Sequence, residues 1–346
     1  MKKGNKYGIH RVIEPVDSLP QAANKLSNDM ELFDNEILID VNYLNIDAAS
    51  FKQIKHIAND DVAVIEEIIL EIVQEKGKMQ NPVTGSGGML IGRVKEIGEA
   101  LKDKVDLKVG DKIASLVSLS LTPLKIDKII NIYPETDRVD IEGKAILFES
   151  GIYAKLPEDM KDTLALAVLD VAGAPAQVKK LVREGDTVLI LGATGKSGLL
   201  CSYVAKKMVG KEGKVIGQAR NKARAGFLTV TEFCDEIIIA DILNPINVLE
   251  EILKVNNNQE VDISFNCLSI ANTEMSSILP VREGGIVYFF SMATSFTKAA
   301  LGAEGIGKDV TMIIGNGYTK GHAQFVLDLL RESEVLRKIF EQKYLK

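Results

Sequence analysis

Residues 186–198, DTVLILGATGKSG, decide the fold. The apolar run 188–191 reads as a strand buried on both faces. It runs into three glycines spaced three apart, Gly192, Gly195 and Gly198, and the small, apolar residues 199–204 read as the start of a helix. Strand, glycine turn and helix present backbone N–H groups and a helix N-terminus to a phosphate-bearing ligand. A Cβ at these positions would block the tight turn, the approach of the phosphate, or the packing of helix on strand. The spacing is GxxGxxG rather than GxGxxG, so the context carries the reading. A second strand, 214–217 (KVIG), follows at the distance of a βαβ unit. The GKS within the turn suggests a P-loop, but GxxxxGK[ST] needs glycine five residues before Gly195, where Ile190 stands. An ordinary strand-to-helix turn without a ligand is the bland alternative.

Strands and helices alternate around this turn. Strands are expected at 187–191, 214–217, 236–239, 261–266, 285–290 and 310–315, with helices at 197–208 and 247–255 between them. Six strands with crossover helices make a doubly wound parallel sheet of the Rossmann type. Helices are also expected at 161–171, at 175–183 with proline in first position, and at 321–331 and 334–344. The first half reads differently. Residues 36–41 (EILIDV) alternate like a half-buried strand, 60–74 form an amphipathic helix, GSGG at 85–88 is a turn, and strands follow at 89–97 and after VGD at 109–111. The chain is thus α/β, with residues 1–160 a strand-rich catalytic or substrate domain and 161–319 the dinucleotide-binding domain. Residues 320–346 are helices expected to pack at the domain junction.

At 346 residues, 46% hydrophobic and 26% charged, the chain can bury two cores. Formal net charge is −6 with no basic block, and there is no tryptophan, so nucleic acid is not an expected partner. No apolar run reaches the length of a membrane span. The start, MKKGNKYGIHRVIEP, lacks the apolar core of a secretory signal. Cys201, Cys234 and Cys267 are widely spaced and odd in number, which suggests buried thiols in a reducing, cytoplasmic setting. His10, His56 and His322 are scattered, so no metal site assembles from local spacing.

These features together resemble the medium-chain dehydrogenase/reductase superfamily. Asn45–Asp47 sits where that family carries an asparagine–aspartate pair, 92–111 (GRVKEIG…KVGD) looks like its GxVxxVG…GD segment, and 187–198 looks like its cofactor turn. VDISFNC at 261–267 and GGIVYFFS at 284–291 look like its fourth and fifth Rossmann strands. The zinc branch's cysteine near Asn45–Asp47 is absent, its His–Glu pair is replaced by Ser86–Gly87, and its four-cysteine lobe is missing. The resemblance therefore implies a zinc-free member with a β-rich, GroES-like catalytic domain, working as a homodimer. The N-terminal region, GSGG, GATGKSG and the terminal helices look like the diaminohexanoate dehydrogenases of lysine fermentation. That implies NAD(P)-dependent oxidative deamination of L-erythro-3,5-diaminohexanoate, a small diamino acid, to 5-amino-3-oxohexanoate. A zinc-free quinone or enoyl reductase and a non-catalytic NADP(H)-binding protein are the alternatives.

Such chemistry needs acids for ammonium groups and donors for phosphates. Asp47 and Asp170 are the candidate catalytic acids facing the cleft between the domains, with helix capping as the plain reading of each. Ser86 is a candidate donor, or simply a turn serine. Gly192, Thr194, Gly195, Lys196, Ser197 and Gly198 are candidates for the phosphates. NAD binders usually carry an acid after the second strand. Here that segment reads QARNKAR, and Arg220, Lys222 and Arg224 suit a 2′-phosphate, favouring NADP over NAD unless they are only a solvated helix start. Asn266 and Ser291 end the fourth and fifth strands, where such sheets bind ligand.

Overall fold

The computed structural model describes residues 1–290, 293–315 and 317–345. The chain divides into two compact units, Met1–Met160 and Lys161–Lys346.

In the first unit, β1 (Val12–Glu14) and β2 (Lys25–Leu26) form a small antiparallel pair. A second sheet holds β3 (Glu36–Asn45), β4 (Met89–Ile97), β5 (Lys112–Ser115), β6 (Leu124–Tyr133), β7 (Arg138–Phe148) and β8 (Tyr153–Lys155). It is antiparallel throughout, in the order β6-β7-β3-β4-β5-β8. Ile37, Ile39, Val41 and Leu44 of β3 enter the core with Leu90 and Val94 of β4 and Val139 and Ile141 of β7. Helices α1 (Ala48–Ile57) and α2 (Val62–Lys76) bring Phe51, Ile54, Ile65 and Ile69 to the same core. α2 begins two residues later than expected because Asp61 caps it, accepting from the Ala63 N–H at 2.9 Å.

A polar clasp ties the N-terminal segment to β3. Buried Glu36 takes Arg11 through Nε at 2.8 Å and NH2 at 2.6 Å, His10 Nε2 at 2.8 Å, and the Phe33 N–H at 3.0 Å. Arg11 also donates to the backbone oxygens of Asp29 and Glu31. Burial alone would raise the Glu36 pKa, but these donors together hold it below the usual value.

The second unit opens with α3 (Asp162–Leu169) and α4 (Gly173–Leu181). Pro175 is the third residue of α4, not the first; a first-turn N–H has no intrahelical acceptor, so proline costs nothing there. Then come β9 (Thr187–Leu191), α5 (Lys196–Met208), β10 (Lys214–Ala219), α6 (Lys222–Thr231), β11 (Glu236–Ile239), α7 (Pro245–Val255), β12 (Val261–Asn266), α8 (Glu274–Ile278), β13 (Val281–Phe289), α9 (Phe296–Gly305) and β14 (Thr311–Ile314). All neighbours are parallel, in the order β11-β10-β9-β12-β13-β14. Written from β9, this is 3-2-1-4-5-6, the doubly wound order, with the strand order reversing at β9. The chain ends in α10 (His322–Glu332) and α11 (Glu334–Tyr344), which pack on α3 and α4. Among the described residues, no helix is long and apolar enough to cross a membrane.

Candidate active site

The glycine turn leaves β9 beside the point where the strand order reverses. Gly192 has φ +76, and a Cβ there would also meet Leu268 at 2.7 Å, so conformation and packing both require glycine. A Cβ on Gly198 would fall inside the radius of the Gly192 carbonyl oxygen, so this glycine lets α5 close onto the turn. Gly195 differs: its φ is −78, and a Cβ would meet only Gly192 O, at 3.3 Å. Backbone strain does not require glycine there, and the tight contact with Gly192 O is far milder than the clashes at Gly192 and Gly198. Gly195 is the N-cap of α5 and supplies no side-chain cap, so the first N–H groups of the helix stay open to an anion.

Two side chains brace the turn. Buried Gln218, at the end of β10, accepts from the Gly192 N–H at 3.1 Å and donates to Ala240 O at 2.9 Å, tying the turn to the segment after β11. Lys196 pairs with Asp170 at 2.8 Å. Asp170 therefore lies at the end of α3 as the partner of a turn lysine. Thr194 is half-buried and Ser197 buried within the turn. Arg220, Lys222 and Arg224 are exposed, and among the described residues no carboxylate pairs with them. Asn221 caps α6 by accepting from the Arg224 N–H at 3.0 Å.

Asn266 requires correction. It is buried, its amide donates to Thr273 at 2.8 Å and Ser277 at 2.9 Å, and its carbonyl accepts from the Leu268 N–H at 3.0 Å. Both N–H donors are consumed in holding the loop after β12, so none is left for a cofactor. Ser291 lies outside the described residues.

In the first unit, Asp47 and Ser86 are brought to one place. Gly88 has φ +88, and its Cα faces Asn45 O and Asp47 N so closely that any side chain is excluded. This seats the GSGG turn on the loop after β3. Asp47 caps α1 through Oδ1, which accepts from the Ser50 N–H at 3.0 Å. Ser50 Oγ lies 2.5 Å from Thr84 Oγ1, which in turn accepts from the Ser86 N–H at 3.3 Å. Asp47 Oδ2 is buried and has no hydrogen-bond partner. One oxygen thus caps the helix, and the other is enclosed without a protein donor. Asp137 stands near: burial pushes its carboxyl up, Asp47 and Glu135 push the same way, and Lys55 opposes them.

Comparison with known proteins gives the family. Residues 10–157 match the N-terminal domain of L-erythro-3,5-diaminohexanoate dehydrogenase. An L-erythro-3,5-diaminohexanoate dehydrogenase of Acetoanaerobium sticklandii is 67% identical over 343 residues, covering 99% of this chain and all of that one. The chain belongs to the L-erythro-3,5-diaminohexanoate dehydrogenase family. The Fusobacterium nucleatum member is 64% identical over 345 residues and the whole of both chains. The fold extends further: a quinone oxidoreductase structure from Pseudomonas syringae aligns with TM-score 0.53 at 16% identity, covering 90% of this chain and 82% of that one. Membership makes this an oxidoreductase with the medium-chain dehydrogenase/reductase fold and a nicotinamide cofactor.

Two residues at the glycine turn escaped the sequence reading. Lys343, near the end of α11, donates to Thr194 O at 3.3 Å, and the Tyr344 ring lies 5.4 Å from Lys196 Nζ. Both come from a helix some 149 positions from Thr194, and no local spacing announces such a contact. Gln218 was equally hidden, since an apolar strand gives no sign of where its last polar side chain turns.

Proposed function

We propose that this dehydrogenase catalyses oxidative deamination at C3 of L-erythro-3,5-diaminohexanoate, the substrate that the names of its relatives give for them. The observation that carries the reading is the full-length identity of 67% and 64% to two such enzymes. The glycine turn fits a dinucleotide, because Gly195 is exposed with a single tight contact for a Cβ and the α5 N-terminus has no side-chain cap. Thr194, Lys196, Ser197 and the backbone of 195–198 would hold its phosphates, with Asp170 orienting Lys196. We assign Arg220, Lys222 and Arg224 to the ribose end and favour NADP(H) over NAD(H), since among the described residues no carboxylate pairs with them and the segment QARNKAR carries none to accept ribose hydroxyls.

The chemistry supplied by the bound cofactor is acceptance of the C3 hydrogen with its electron pair. The residues of this chain have the remaining tasks. Asp47 Oδ2, unpaired and held in place by the Oδ1–Ser50 contact, suits a substrate ammonium, whose proton must leave before its lone pair can assist hydride loss. Ser86, in the turn that meets Thr84, is the hydroxyl we assign to the same substrate end. The resulting iminium adds water and expels ammonia. Net, the ammonium substrate, oxidised cofactor and water give the ketone, ammonium ion, reduced cofactor and a proton.

The test is stoichiometry. L-erythro-3,5-diaminohexanoate should yield reduced cofactor and ammonia in equal amounts. Brisk reduction of a simple quinone with no ammonia from the diamine would overturn the reading.

A further inference from the structure

We propose that Lys343 and Arg224 form a two-cation clamp for the 2′-phosphate of NADP(H), making the C-terminal helix part of the cofactor site. This rests on the reading of the glycine turn as a dinucleotide site. Its own support is the convergence of three segments. Arg224 lies in the first turn of α6, directly after β10, where a doubly wound sheet meets the adenosine ribose. Phe227 stands three residues on, on the same helical face. Lys343 comes down from α11, with Nζ 4.5 Å from the Phe227 ring centroid and 3.3 Å from Thr194 O.

The charges around it are unbalanced. Lys343 is half-buried, and among the described residues its ammonium has a carbonyl and an aromatic face for partners but no carboxylate. Burial and then the Arg224 charge both push the Lys343 pKa down. A half-buried lysine seated on Phe227, one turn along α6 from Arg224 and with no carboxylate partner, is stabilised when an anion joins the two cations. A phosphomonoester dianion beside the ribose meets that need, and Thr194 O fixes the lysine on the side of the turn. The position at the end of β10 favours the 2′-phosphate over the pyrophosphate, which belongs to the α5 N-terminus.

Calorimetry on the full chain tests this with NADP+, NAD+, adenosine 2′,5′-bisphosphate and ADP. Lys343→Met keeps the aliphatic stem and removes the charge. It should weaken NADP+ and the 2′,5′-bisphosphate by about tenfold to a hundredfold, while NAD+ and ADP change little. Lys343→Arg should recover most of the loss. Equal weakening of all four ligands would place Lys343 at the pyrophosphate and overturn the clamp, as would no weakening at all. Unaltered protein that binds NAD+ as tightly as NADP+ removes the clamp but leaves the dinucleotide reading standing. Unaltered protein that binds neither removes both.

Discussion

Gly195 and Gly198 look alike in the sequence and differ in kind. Gly195 keeps open space outside the turn, so Gly195→Val should leave the thermal midpoint near that of the parent while abolishing dinucleotide binding by calorimetry. Gly198 is pressed against Gly192 O, so even Gly198→Ala overpacks and should cost about 1–3 kcal/mol in chemical denaturation. A folded Gly195→Val protein with undiminished binding would disprove the division of roles. The glycine spacing alone revealed the turn, because a strand–turn–helix junction leaves its mark within a dozen residues. It could not rank the glycines, since what each Cβ would strike lies in Leu268 or in the turn's own folded backbone. Asn266 shows the same limit: its position at a strand end suggested a ligand donor, and only the loop after β12 reveals that Thr273 and Ser277 already use its amide.

Among the elements, the inner strands of the parallel sheet are legible because burial on both faces writes them as apolar runs, and the partly exposed edge strands β11 and β14 are legible as short runs rich in isoleucine. The β6–β7 hairpin is not: β6, LKIDKIINIY, buries only Leu124, Ile129 and Ile132, and register shifts at 126–128 and 129–131 break the alternation. The clasp between the N-terminal segment and β3 was hidden too, because Glu36 reads as an ordinary strand residue and its partner Arg11 lies 25 positions away. Its energetics are testable. Glu36→Gln leaves the Arg11 guanidinium buried without its counter-charge and should cost about 3–5 kcal/mol. The pH dependence has a definite sign. A carboxyl held below its ordinary value of 4.5 adds stability that is complete above that pH and is lost as pH falls through the lower folded value. Urea midpoints should therefore fall more steeply below about pH 4.5 in the parent than in Glu36→Gln. Parallel pH curves for the two proteins would show that the clasp contributes no linkage.

Over the whole molecule, histidines and cysteines are spread so that no metal centre is written into the chain. His10 is taken by Glu36, His322 is buried at the start of α10 with its pKa pushed down by that burial, and Cys201 and Cys267 meet at 3.8 Å as free thiols. Among the described residues, no three His, Cys, Asp or Glu side chains gather in a metal-binding arrangement. The loop beside Asp47 carries Ser86 and Gly87 instead of metal ligands. A deamination built on these residues must draw its reactivity from the substrate amine itself, which is inert until its ammonium loses a proton. Alkylammonium groups titrate near pH 10, so most of the substrate is unreactive at neutrality. Turnover should accordingly rise with pH, by about tenfold per unit on the acid side of the profile. Exhaustive chelation should leave it unchanged. Asp47→Asn should lower turnover on the diamine while the Kd for the dinucleotide stays that of the parent, because Asp47 belongs to the other unit from the glycine turn. A rate indifferent to pH, or one lost to chelator and restored by zinc, would refute amine-driven chemistry at this site.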